Sequence, residues 1–170
     1  MNTDPFAKLY ETYQPDIYRF LLRISGGEPL IAEELTQETF YQAFLSFGRF
    51  RGECTVKTWL CQIAKNVYGK YVRRESRQRS IAEREASAPE ETSSVTDEAE
   101  QREQFRAVLA AMQTLAEPMR TVAEYRFCSG LSYAEIAQLT GVRAETAAVM
   151  CSRARQKLRQ ILREEYGYEI

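Results

Sequence analysis

Two separated sets of cations are the residues of this sequence with the most chemistry to offer. Lys57, Lys65, Lys70, Arg73 and Arg74 fall largely off the apolar stripe formed by Val56, Trp59, Leu60, Ile63 and Val67. One face of that segment can pack while the other meets anions. Far downstream, Arg153, Arg155, Lys157 and Arg159 recur along a second helical segment. The net charge of −1 hides this segregation: residues 51–85 hold nine Lys and Arg against four Asp and Glu, whereas residues 86–105 hold one against six. Two basic segments separated by an acidic one suit local contact with phosphate better than the mean charge implies.

Other chemistry finds little support. The chain has no histidine, and Cys54, Cys61, Cys128 and Cys151 form no CxxC pair, so a common zinc set is missing and free thiols are expected. Without histidine, a Ser or Cys nucleophile lacks its usual base. A carboxylate-only site stays open, but no pair of acids stands out from solvated helix faces. No glycine loop has the pattern that cradles phosphates. The expectation is a protein with no cofactor, no metal and no catalytic residue.

The elements that must position these cations read as helices throughout. Phe6, Leu9, Tyr10, Tyr13, Ile17, Phe20, Leu21 and Ile24 have the spacing of one helix face, opened by Asp4-Pro5 and closed by Gly26-Gly27. Pro29 opens a second helix expected to bury Phe40, Ala43, Phe44 and Phe47, with a loop around Gly48 and Gly52 leading to the basic third helix. Residues 80–98, poor in large apolar side chains and rich in Ala, Ser, Thr and Glu, read as a flexible acidic linker. Beyond it a fourth helix starts with Phe105, Val108, Leu109 and Met112, and a fifth runs from Pro118 toward Gly130. The fold class is all-α: two small helical domains, 1–79 and 99–170, joined by that linker.

The C-terminal domain carries a helix-turn-helix. Ser132 and Glu135 form a capping box, Ile136, Ala137 and Leu139 a buried strip, and Gly141 permits the tight turn. After the turn, Ala147, Cys151, Ala154 and Leu158 share one face and leave the arginines on the other. An ordinary helical hairpin with a solvated charged face is the alternative. The agreement of cap, glycine, small inward residues and downstream cations favours DNA binding, without separating a repressor from other promoter-binding proteins.

The stretch LIAEELTQETFYQAFLSFGRFRGECTVKTWLCQIAKNVYGKYVRR, followed in order by LAEPMRTVAEYRFCSGLSYAEIAQLTGV, resembles the extracytoplasmic-function (ECF) sigma factors over nearly the whole chain. These are the smallest bacterial sigma factors, with only the second and fourth sigma domains. The resemblance implies that Glu34, Gln37 and Glu38 dock on the clamp helices of the largest subunits of core RNA polymerase. It implies that Phe50, Arg51, Lys65 and Asn66 open the minus-ten element and hold a flipped base. Asn66 offers an amide that reads a base edge, and Lys57, Lys65, Lys70, Arg73 and Arg74 hold the single-strand backbone. Trp59 fits the core better than a stacking platform. For the minus-thirty-five element the matching residues are Arg143, Glu145, Thr146, Ala148 and Val149, with Arg153 and Arg155 reaching phosphates or base edges.

The sequence departs from the family where promoters are read. The usual pattern has a serine helix cap near position 143 and basic residues near 148 and 150, where this chain has Arg143, Ala148 and Met150. An uncapped helix start carrying a cation costs stability, which suggests that Arg143 is kept for DNA. Ala148 and Val149 suit thymine methyls. Ile31 stands where an acid is frequent, and Cys151 where a larger aliphatic residue is usual; the cysteine reads as packing.

By the same resemblance the partners are core RNA polymerase, promoter DNA and an anti-sigma factor, often membrane-anchored. The acidic linker would run toward the RNA exit path, although composition alone equally suits a solubilising tether. No signal-peptide pattern and no run of about 20 apolar residues occurs, which places the expected protein in the cytoplasm. Two rival readings differ in what they require. A stand-alone helix-turn-helix regulator binds promoters without polymerase, and a degenerate sigma-like protein binds polymerase without initiating.

Overall fold

The structure, a computed structural model, describes residues 4–82 and 97–169, with the side chains of 80–82 outside that description. Helix α1 spans Pro5–Ile24, α2 Pro29–Ser46, α3 Val56–Ala82, α4 Asp97–Gln113, α5 Met119–Ala123, α6 Tyr133–Thr140 and α7 Ala144–Tyr166. A 3-10 turn at Phe47–Arg49 follows α2, and a π-helical turn at Glu124–Cys128 continues α5. No strand occurs among the described residues.

Local chemistry sets the helix ends. The Asp4 carboxylate accepts from the Phe6 N–H at 3.0 Å while Pro5 takes the first helical position, where a missing N–H costs nothing. Gly26 and Gly27, at φ +81° and +80°, turn the chain out of α1. A side chain at Gly27 would also crowd the Phe105 ring, 3.3 Å from where its Cβ would sit.

The first three helices pack as one unit, with Ile17, Phe20, Leu21 and Ile24 of α1 meeting Ala32, Leu35, Phe40 and Ala43 of α2 and Leu60, Cys61, Ala64 and Val67 of α3. Burial of each large apolar side chain contributes about 1.5–3 kcal/mol. Phe44, expected in this core, is mostly exposed and makes an edge contact with the Phe6 ring. It lies one turn past Phe40, at the margin of the buried face of α2 near the end of the helix.

The interval expected as linker is shorter at both ends. Helix α3 runs on through Ala82, and α4 begins at Asp97. Asp97, Glu98 and Glu100 fall in the first turn of α4, where the positive end of the helix favours acids. The acidic and flexible character read for the linker falls on residues 83–96, outside the described residues.

The second helical unit contacts the first directly. The π turn packs on α1, where Tyr125 stacks on Phe20 with ring centroids 6.0 Å apart. Arg23 donates to the Cys128 carbonyl at 2.9 Å, and Gln113 donates to the Ile24 carbonyl at 3.2 Å. The two units are docked, with Phe20, Ile24, Tyr125 and Cys128 all buried.

Candidate nucleic-acid interface

Helix α3 shows its cations as the apolar stripe requires. Lys70, Arg73 and Arg74 are exposed, as is Asn66, while Lys57 is half-buried. Lys65, Asn66, Lys70 and Arg73 line one wall of an open cleft of about 810 Å³. The facing wall comes from the second unit, with Glu117, Arg120 and Glu124. The structure thus brings four of the expected minus-ten residues together and leaves Phe50, Arg51, Lys57 and Arg74 outside the cleft.

Phe50 and Arg51 lie in the loop between α2 and α3. Arg51 is exposed next to Gly52, which adopts φ +73°. The Phe50 and Trp59 ring centroids lie 4.8 Å apart, and Trp59 is half-buried, packed against the core as well as this loop.

Lys65 is not a free cation here. Its ammonium pairs with the carboxylate of Glu124, a residue 1% exposed, while the Lys65 side chain itself is 18% exposed. Burial, partly offset by Lys65, holds the Glu124 carboxyl above the usual carboxylate range. Its second oxygen, Oε1, has no hydrogen-bond partner among the described residues. Glu124 was missed in the sequence because it sits inside the apolar run Val122, Ala123, Tyr125, where nothing local marks an acid as special.

The helix-turn-helix forms as the residues dictate. The Ser132 hydroxyl accepts from the Glu135 N–H at 3.1 Å, and the Glu135 carboxylate accepts from the Ser132 N–H at 2.8 Å. Gly141 closes α6 in the left-handed conformation at φ +74°. Ala147, Cys151, Ala154 and Leu158 are all buried. Ile136 is buried, whereas Ala137 and Leu139 are half-buried, so the inward strip of α6 is narrower than its sequence implied.

The outer side of α7 carries the expected readers. Glu145, Thr146, Val149 and Arg153 are exposed and share one helical arc, with Ala148, half-buried, and Arg155 beside it. Arg143 sits at the helix start without a side-chain cap bond, 85% exposed and 4.0 Å from Glu145. The Arg155 guanidinium lies over the Phe127 ring, 5.1 Å from its centroid, so its stem and charge are positioned by packing.

Glu34, Gln37 and Glu38 are exposed on α2, and Glu38 accepts from the Gln42 amide at 2.9 Å. Their face continues into Tyr41 and Leu45, each 56% exposed. This apolar continuation is not among the residues expected from the sequence, although Tyr41 and Leu45 stand at the i+3 and i+7 spacings from Glu38. An acidic turn running into exposed aromatic and aliphatic side chains fits a protein partner better than a solvated face.

The family model Sigma-70 region 2 matches residues 9–78, and Sigma-70, region 4 matches residues 105–158. The chain is 30% identical to the ECF RNA polymerase sigma factor SigX of Bacillus subtilis, over 95% of this chain and 87% of that protein. This chain belongs to the ECF sigma factors. It is also 28% identical to the ECF RNA polymerase sigma factor SigM of Bacillus subtilis, over 91% of this chain and 93% of that one. Two solved structures share its fold. The sigma factor RpoE of Bartonella quintana, in complex with the anti-sigma factor NepR, superposes with a TM-score of 0.69 at 22% identity, covering 95% of this chain and 98% of that chain. CnrH, in complex with the cytosolic domain of CnrY, gives 0.66 at 20% identity, covering 92% and 86%.

In this ECF sigma factor the α3 wall of the cleft falls within the region 2 match, and its facing wall and the helix-turn-helix fall within the region 4 match. No described group of Asp, Glu and Cys could hold a metal ion, and no described helix is long and apolar enough to cross a membrane.

Proposed function

We propose that this ECF sigma factor binds core RNA polymerase through the exposed face of α2 and directs it to specific promoters without covalent chemistry of its own, working in the cytoplasm. Glu34, Gln37 and Glu38 contact the largest polymerase subunits, and Tyr41 and Leu45 extend that contact. The loop with Phe50 and Arg51, together with Asn66, opens the minus-ten element and holds an extruded base, while Lys57, Lys65, Lys70, Arg73 and Arg74 hold the displaced strand. Arg143, Glu145, Thr146, Ala148, Val149, Arg153 and Arg155 read or grip the minus-thirty-five element in the major groove.

The observation that carries this reading is the pairing of two basic surfaces on two helical units, in the order of regions 2 and 4. Each surface alone is a weak module, and linkage on one polymerase raises their joint affinity. An anti-sigma factor is the expected regulator, since the RpoE and CnrH structures each contain a bound partner, for RpoE the anti-sigma factor NepR. Transcription by purified core polymerase on a randomised promoter library tests the proposal. Specific starts that depend on added protein support it, and polymerase binding without initiation points to the sequestering alternative.

A further inference from the structure

Helix α3 and the π turn of the second unit meet at a place where the two have competing uses for one cation. The Lys65 ammonium, expected to grip the minus-ten strand, is committed to the buried carboxylate of Glu124. That carboxylate stands on a five-residue π turn, an irregular element that packs on α1 through Tyr125 and Cys128. Insertions of this kind in helices are frequent where a side chain must be aimed for function.

We propose that Glu124 is an internal competitor for DNA phosphate, holding Lys65 and the two units together until polymerase and promoter draw them apart. The inference rests on the reading of Lys65 as a minus-ten contact. An anionic oxygen of Glu124 takes one of the three donors of the Lys65 ammonium and offsets its charge, so the paired lysine attracts a phosphate less than a released one does. Lys65, Asn66, Lys70 and Arg73 all face this same cleft, and the second unit forms its other wall. Parting the units frees Lys65 and opens that wall in one step. The buried Glu124 Oε1, without a hydrogen-bond partner among the described residues, gains water on release. Docking is therefore poised to be displaced by a ligand richer in anions than one carboxylate.

Two native thiols report the docked state. Cys61 on α3 and Cys128 on the π turn are both buried, Cys61 facing Ser129 of the second unit and Cys128 within reach of the charge of Arg23 on α1. Cys151, by contrast, is buried on the inward face of α7, inside the second unit. Labelling of the full chain with a water-soluble thiol reagent, read by mass spectrometry, therefore separates undocking from unfolding.

In Glu124→Gln the half-buried Lys65 charge loses its counter-charge, and Cys61 and Cys128 label at least about tenfold faster than in the wild type, with Cys151 unchanged. Lys65→Gln opens the same contact from the other side, and the reversed pair Lys65→Glu with Glu124→Lys restores protection. If Glu124→Gln labels at the wild-type rate, or the reversed pair is as open as the single variants, the competitor role is overturned. With core polymerase, Glu124→Gln half-saturates promoter-specific transcription at a concentration at least about threefold lower, because the binding-competent fraction rises. Exposed thiols with an unchanged half-saturating concentration overturn the inhibitory role. A wild type that initiates at no promoter removes the sigma-factor reading itself, whereas failure of the thiol result alone removes only the competitor.

Discussion

The Phe20 ring of α1 stacks on the Tyr125 ring of the π turn at an interplanar angle of 17°. Both rings are buried, Phe20 completely, so the stack joins the apolar interiors of the two units into one cluster. Two domains that meet only through polar rims would separate freely, whereas these share side chains with no route to water.

That shared core predicts coupled unfolding. The wild-type chain should melt in a single calorimetric transition, and Phe20→Ala should split it while destabilising the first unit by about 3–5 kcal/mol. Tyr125→Ala should split the transition in the same way with a smaller loss in the first unit. Differential scanning calorimetry decides; two transitions in the wild type would show that the stack does not couple the units.

The helix-turn-helix gives opposite predictions at its two caps. Ser132→Ala removes a capping box whose bonds measure 2.8 and 3.1 Å, and should cost about 1 kcal/mol in denaturant titration. Arg143→Ser supplies the cap that α7 lacks and should add about 1 kcal/mol, while weakening promoter binding and lowering the salt slope by about 1. If Arg143→Ser gains stability with promoter affinity and salt dependence unchanged, Arg143 has no DNA role.

Burial pushes the thiols of Cys61 and Cys128 up to about 12 each. At pH 8 both should resist iodoacetamide in the native protein, while Cys54, only half-buried, alkylates first. Because the folded values lie above the ordinary value of 9.0, the protonated thiols favour the fold, and this contribution is complete below pH 9 and is lost as pH rises toward 12. Urea titrations across that range should show stability falling with pH less steeply in Cys61→Ala/Cys128→Ala than in the wild type.

What the sequence made legible is what short-range rules control. Ser132 with Glu135, Gly141, and the inward Ala147, Cys151, Ala154 and Leu158 depend on neighbours three to seven positions away, and each lies where its spacing placed it. The ends of α3 and α4 were misjudged because Ala and Glu, common in tethers, are also good helix formers, and the acids of α4 gain from its positive end. Phe44 differs because it lies at the margin of the buried face, one turn past Phe40, and spacing alone does not say where along α2 the core ends. The Glu124–Lys65 pair and the stack of Tyr125 on Phe20 were invisible, since each is made by residues 59 or more positions apart in the chain.

The central claim is that α2 and α3 act together on polymerase and promoter. Promoter-specific transcription by core polymerase should be compared for the wild type, Gln37→Ala/Glu38→Ala and Asn66→Ala. The wild type should initiate at defined starts, the α2 variant should lose polymerase binding and all starts, and Asn66→Ala should bind polymerase normally yet lose at least about tenfold in open-complex formation. Starts that survive both substitutions at wild-type levels would contradict the assignment of these surfaces.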